Sequence, residues 1–333
     1  MVSGNSVIVP IIAIEEHWST PALASGLKAL PSASRDDSLV FNEMGDHLER
    51  LEDIGDARIS AMDEQGIDIA ILSLAPPATG PLNAGDAVSL SRAANDVAAA
   101  AVQRHPNRLK AMSTLPMADP SRVAGELERT AAIGFVGAMV YGRTGERALD
   151  DPAYDELFAA AAELGQPLFI HPQIPSKTVR DAAYSGFDPS TSLALATFAW
   201  GWHVEAALAA LRLIARGTFD RHPDLEIVLG HWGELLLFWQ DRVDGLSRVA
   251  GLERKVSEVI RSNVSITSSG MFSPALLHHA LEATTIDRLL FSTDYPFQHP
   301  SRADIETFLA EFGSDEERES FTSTNARRLY RLT

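Results

Sequence analysis

Short, almost wholly aliphatic runs recur along this chain and alternate with longer stretches whose apolar positions suit one face of a helix. Val7–Ile14, Ile67–Leu74, Leu109–Leu115, Phe135–Tyr141, Pro167–His171, Glu226–His231, Asn263–Ser268 and Leu289–Thr293 read as strands. Many are apolar at odd and even positions alike, as parallel strands covered on both faces must be. Ala57–Gln65, Asp86–Arg104, Ser121–Ile133, Ala153–Leu164 and Ser301–Phe312 read as helices between them. Gly66, Gly134 and Gly165 stand where a helix gives way to the next strand and a left-handed C-cap is wanted. Eight strands with intervening helices predict an α/β fold, a (β/α)8 TIM barrel. The alternative is an open doubly wound sheet, but no Gly-x-Gly-x-x-Gly follows the first strand to support it.

Two connections break the rhythm: Trp18–Asp56 after strand 1, and Pro172 to about Trp200 after strand 5. Both are rich in Ser, Pro, Ala and Gly. Both leave the carboxyl ends of strands, where long loops in compact domains tend to carry function. They are expected to wall and cover a pocket. No fixed-period repeat, low-complexity tract or linker interrupts the 333 residues, so one domain over 1–333 is expected.

The polar residues that end these runs carry the chemistry. Glu15-Glu16-His17 ends the first, His171 the fifth, His231 the sixth and Asp294 the eighth. In an eight-stranded parallel barrel all strand carboxyl ends meet on one face, and active sites are built there. Residues two apart in a strand share a side, so Glu15 and His17 are expected to face the axis together while Glu16 points away. Taken singly, Glu-x-His can be a solvated turn, His171 a hydrogen-bonded core residue, and Asp294 a turn cap before Tyr295-Pro296. Taken together, two imidazoles and two carboxylates make a ligand set for one divalent ion, and Zn²⁺, Mn²⁺ and Fe²⁺ all suit it. His231 is either a further ligand or a general acid/base. Glu234, expected one turn into the following helix, either orients that imidazole or is simply a first-turn acid. Arg242, expected on the same helix and partly buried beside Phe238 and Trp239, either binds a substrate carboxylate through its fork or forms a surface ion pair. His105 and His222 read as helix-terminal residues, His278 and His279 as members of a surface helix. His203 and His299 stay open.

Composition narrows the partners. The 45 acidic residues against 28 basic give a net charge of -17. That argues against nucleic acid and against an anionic membrane surface, both of which call for a basic patch. Cysteine is absent, so disulfides and thiolate ligands are excluded and a metal must be held by His, Asp, Glu or water. No apolar run approaches the roughly 20 residues of a membrane span, and the first one lacks a basic leader. A cytoplasmic location is expected.

Several segments share a further pattern: Ile14-Glu15-Glu16-His17, Met62-Asp63-Glu64-Gln65-Gly66-Ile67-Asp68, Gly134-Phe135-Val136-Gly137-Ala138 and Phe219-Asp220-Arg221-His222-Pro223. Leu229-Gly230-His231-Trp232-Gly233-Glu234, Phe291-Ser292-Thr293-Asp294-Tyr295-Pro296-Phe297 and Asn325-Ala326-Arg327-Arg328-Leu329-Tyr330 complete it. As a set, over nearly the whole chain, these resemble the amidohydrolase superfamily, in the amidohydrolase 2 branch of aminocarboxymuconate-semialdehyde and ortho-hydroxybenzoate decarboxylases. The resemblance implies that Glu15, His17, His171 and Asp294 bind one divalent metal, Zn²⁺ or Mn²⁺. It implies catalytic roles for His231, Asp294 and Glu234, and a substrate contact for Arg242, in its own or a neighbouring subunit. It also implies a homodimer or homotetramer. Glu15 stands where hydrolytic superfamily members commonly have the first His of His-x-His, which favours decarboxylation.

This chain also departs from its relatives. Its fourth strand ends Val140-Tyr141-Gly142, where the resorcylate enzymes look more like Val-Asn-Gly, and Trp18 follows His17 where relatives often carry a smaller aromatic. Tyr141, Trp18 and Phe297 are accordingly expected to shape the substrate pocket. The expected reaction is non-oxidative decarboxylation of an ortho-hydroxylated aromatic acid such as a dihydroxybenzoate. The metal would act as Lewis acid and template, and Asp294 or His231 would donate the proton. A metal-dependent hydrolase of a lactone or amide is the alternative, because one fold hosts many chemistries. A non-catalytic ligand-binding barrel is the third reading.

Overall fold

The computed structural model describes residues 10–332. Eight parallel strands follow one another in sequence order: β1 (Ile12–Trp18), β2 (Ile69–Leu74), β3 (Leu109–Thr114), β4 (Gly137–Tyr141), β5 (Leu168–His171), β6 (Ile227–Leu229), β7 (Val264–Thr267) and β8 (Leu289–Leu290). Ile14 pairs with Ser292, and its N–H donates to the Phe291 carbonyl at 3.1 Å, so the end of β8 returns to β1 and closes the ring. The barrel expected from the sequence is therefore present. Ile12, Ile14, Ile71, Phe169, Ile170 and Val228 are fully buried, which is why these strands are continuous aliphatic runs rather than alternating ones.

Helices α1 (Asp56–Gln65), α2 (Ala84–Arg104), α3 (Pro120–Ala132), α4 (Asp155–Leu164), α5 (Gly201–Ala215) and α6 (Gln240–Ala250) lie between strands. Gly66 and Gly165 cap α1 and α4 at φ 78° and 61°, conformations that cost a residue with a Cβ. The α4 segment starts later than expected. Asp151 accepts the Ala153 N–H at 2.9 Å and winds Pro152–Tyr154 into a 3-10 turn first. β8 is shorter than expected because the Phe291 N–H turns to the Phe321 carbonyl. Of the first expected strand, Val7–Val9 lie outside the described residues, and β1 runs on past Ile14 to Trp18.

The two long connections carry short helices: Pro21–Lys28, Leu39–Asn42 and His47–Glu52 in the first, Lys177–Ala183 and Pro189–Ala196 in the second. Thr20 and Ser176 accept backbone N–H groups at two of their starts. With the loops after β2, β3 and β4 they enclose a cleft of about 960 Å³ on the carboxyl face, bordered by Asp36, Pro77, Tyr141, Arg143 and Arg180. Among the described residues no helix is long and apolar enough to cross a membrane.

Candidate active site

β1 supplies two donors, though not by plain alternation. Ile14 pairs with Ile71 and Glu16 with Leu72, so Glu15 is an inserted residue, and it sits at φ 70°. A bulge of this kind re-aims a side chain. Glu15 and His17 do face one space, as expected, but the bulge produces that facing. A non-glycine residue in the left-handed region costs on the order of 1–3 kcal/mol unless its surroundings hold it there. Here Glu15 Oε2 accepts from Ser269, from Ser292 at 3.2 Å and from Thr267 at 3.4 Å. Glu16 lies outside the cluster and accepts from the Thr293 hydroxyl at 2.7 Å.

His171 at the end of β5 and Asp294 just after β8 complete the group, and one donor atom from each of the four residues lies within 4.8 Å of the others. His17 Nε2 is 3.2 Å from Asp294 Oδ1, and His171 Nε2 is 3.5 Å from Glu15 Oε1. Glu15 Oε1 and His17 Nε2 are buried without a hydrogen-bond partner. His171 Nδ1 is 2.7 Å from the Pro172 carbonyl. A carbonyl only accepts, so Nδ1 carries the proton and Nε2 keeps its lone pair for the cluster. His17 Nδ1 contacts the Ser73 hydroxyl at 3.1 Å, which can hold that ring in the same sense.

The electrostatics agree. Burial, with Arg58 and His231 nearby, pushes His17 down to about 3. Burial and the adjacent His17 hold His171 well below the usual imidazole value. Both rings are thus neutral at ordinary pH, the form in which an imidazole could serve as a ligand. Burial and the neighbouring Asp294 raise Glu15 to about 8. Burial, aided by Glu234 and opposed by His231, raises Asp294 to about 7. Two neutral imidazoles beside two carboxyl groups that resist ionising are what one divalent cation fits. A bound divalent charge would reverse the penalty on ionising Glu15 and Asp294, and their protons would be released as it bound.

The end of β6 departs from the expected helix. His231, Trp232, Gly233, Glu234 and Leu235 run at φ 46°, 57°, 86°, 52° and 71°. Glu234 is therefore not one turn into a right-handed helix, and the first-turn-acid reading falls with that helix. Tertiary contacts hold the turn: the His231 N–H donates to Ser269 Oγ at 2.9 Å and the Trp232 indole N–H to the Met271 carbonyl at 2.8 Å. The turn sets Glu234 Oε1 2.8 Å from His231 Nδ1. Burial opposes charge on both groups, but each outweighs it for the other: Glu234 is pulled down to about 2 and His231 up to about 10. A residue that sequence reasoning left open joins them. His203 on α5 brings Nδ1 to 2.7 Å from Glu234 Oε2 and Nε2 to 3.0 Å from the Phe198 carbonyl. No local signal marked it, since it precedes Glu234 by 31 residues.

Of the expected substrate contacts, two flank the histidines. The Tyr141 ring centre lies 5.8 Å from that of His171, and the Phe297 ring centre 5.5 Å from that of His17. Trp18 is buried in β1 with its indole N–H unpaired. Arg242 differs from expectation: it is exposed on α6, preceded by Phe238 at 72% and Trp239 at 57% exposure. Gln240 and Ser247 supply the buried positions of that helix, which leaves Arg242 outward. His299 is exposed and lies against Tyr295.

Known proteins are similar to this chain along nearly its whole length. Gamma-resorcylate decarboxylase of Rhizobium radiobacter is 35% identical over 337 residues, covering 96% of this chain and 98% of that one. The structure of 5-carboxyvanillate decarboxylase from Novosphingobium aromaticivorans, complexed with manganese and 4-hydroxy-3-methoxy-5-nitrobenzoic acid, superposes with a TM-score of 0.89 at 30% identity, over 97% of this chain and 96% of that one. The structure of 2,6-dihydroxybenzoate decarboxylase from Rhizobium gives 0.81 at 32% identity, over 97% and 99%. The amidohydrolase family model matches residues 37–332. On a match of that length, with relatives this similar from end to end, the chain belongs to the amidohydrolase family.

Proposed function

We propose that this chain is a metal-dependent carboxy-lyase that removes CO₂ from an ortho-hydroxylated aromatic acid, a dihydroxybenzoate being the simplest case. The observation that carries this reading is the buried pair of imidazoles and pair of carboxylates at the strand ends, beside an imidazole–carboxylate couple. Glu15, His17, His171 and Asp294 would hold one divalent ion, manganese or zinc. When bound, that ion supplies Lewis-acid polarisation and a template for adjacent oxygens.

The chain's own residues do the rest. Pro172 and Ser73 keep the His171 and His17 rings presenting Nε2. Ser269, Ser292 and Thr267 hold Glu15 Oε2 and leave Oε1 to the cluster. Tyr141 and Phe297 give the aromatic ring apolar walls. A proton from Asp294 or His231 goes to the ring carbon that bears the carboxylate. The bond from that carbon to the carboxylate then breaks, its electron pair returns to the ring, and CO₂ leaves. Glu234 holds His231 by Nδ1, so its Nε2 is the nitrogen left to face the reaction space.

The test is a CO₂-release assay on a panel of hydroxybenzoates with manganese or zinc restored. Turnover is expected for acids with a hydroxyl next to the carboxylate and not for isomers lacking it. Hydrolysis of a lactone or amide, with oxygen from labelled water in the product and no CO₂ from any acid, would overturn the reading.

The reading extends to assembly as a homodimer or homotetramer. Exposed Phe238 and Trp239 beside Arg242 support a self-association face, across which Arg242 would reach a neighbouring subunit's substrate. Sedimentation equilibrium should give a dimer or tetramer that Phe238→Asp weakens; a monomer at every concentration refutes this part.

A further inference from the structure

His203, Glu234 and His231 form a chain in which one carboxylate is held from both sides. Glu234 Oε1 is 2.8 Å from His231 Nδ1 and Oε2 is 2.7 Å from His203 Nδ1. The Glu234 side chain is 0% exposed, whereas His203 and His231 are 17% and 14% exposed. We propose that His203 is a positioning residue for the reaction: it clamps the free oxygen of Glu234 and so fixes the carboxylate that holds His231. This rests on the reading of His231 as an acid/base group above.

Counting protons supports the clamp. The Phe198 carbonyl, 3.0 Å from His203 Nε2, can only accept, so Nε2 carries a hydrogen. Nδ1 of His203 lies 2.7 Å from Glu234 Oε2 at the opposite edge of the ring. His203 is therefore held at both ends, on the backbone through Nε2 and on the carboxylate through Nδ1. Without it, Oε2 would be a buried anionic oxygen with no donor, and the carboxylate could rotate about its last torsion. Phe198 lies near the end of the connection that follows β5, so that connection reaches the proton-transfer groups through His203. The His203 and His231 ring centres are 4.7 Å apart, close enough for a shift of one ring to be felt by the other.

Two amide replacements separate the two ends of the ring. In His203→Asn the side-chain amide takes the place of Nδ1 and can still donate to Glu234. In His203→Gln the amide takes the place of Nε2 and keeps only the Phe198 contact. On the metal-loaded enzyme, His203→Gln should lower kcat by about 10–100-fold, the usual effect of losing a partner that orients an active-site ligand. KM and bound metal should stay near wild type, and His203→Asn should retain most of kcat. A second readout needs no turnover: the downfield Nδ1–H proton resonance of His231 in the metal-free protein should persist in His203→Asn and broaden or vanish in His203→Gln. Equal losses in both variants, no loss in either, or an unchanged His231 resonance in His203→Gln would overturn the proposal. Should wild type release no CO₂ from any hydroxybenzoate, the proposed function fails, and the resonance still decides whether His203 clamps Glu234.

Discussion

His17→Ala and Asp294→Ala should each strip the protein of stoichiometric metal and lower kcat/KM by about a thousandfold or more. The size follows from what a bound divalent ion contributes, several kcal/mol of transition-state stabilisation, with about 1.4 kcal/mol per tenfold in rate. The four donor atoms lie within 4.8 Å of one another, so each substitution removes one quarter of a single compact donor set. His17 is the cleaner test. It sits in the regular part of β1, and losing its ring removes one neutral member of the proposed ligand set without unpairing a charge. Asp294 lies at φ 61°, so alanine there adds backbone strain of about 1 kcal/mol or more. Circular dichroism should show both variants folded. Metal analysis on dialysed protein is the deciding measurement, and wild-type metal content in both variants would remove them from the ligand set.

The barrel was legible because its cause is local. Strands buried on both faces must be aliphatic throughout, and helix ends that turn left want glycine, as at Gly66 and Gly165. His171 and Asp294 were legible for the same reason, since a polar residue ending a buried run has one place to be in this fold. Other features were not. Nothing in the composition of Glu15 asks for φ 70°; Ser269, Ser292 and Thr267, which come from distant strand ends, hold it there. The left-handed run from His231 to Leu235 has a single glycine, so local preference reads the stretch as right-handed. Its Ser269 and Met271 partners override that preference only once the chain has folded. His203 was silent because its role exists only where α5 meets that turn. The exposure of Arg242 could not be read from adjacent aromatics, because Phe238 and Trp239 are themselves exposed.

Glu234→Gln should lower kcat by at least about a hundredfold, within the range assigned to positioned acid/base groups, and destabilise the metal-free protein by about 3–5 kcal/mol, the usual cost of breaking a buried ion pair from one side. The amide keeps the shape but cannot accept from two imidazoles at once, so one buried N–H is left unpaired. The pH dependence is the sharper signature. Glu234 is depressed from 4.5 to about 2, so its contribution is present above about 4.5 and is lost as pH falls toward 2. His231 is raised from 6.5 to about 10, so its contribution is present below about 6.5 and is lost as pH rises through 10. These are two views of one interaction and count once. Glu15 and Asp294 also face His231 and add to its raised value, and His203 adds to the lowering of Glu234. The stability deficit of the variant should therefore be largest between about pH 4.5 and 6.5 and shrink on either side. Urea unfolding of both proteins across that range measures it. A deficit that does not vary with pH would mean that Glu234 acts through packing alone, and its charge would then have no part in holding the proton on His231.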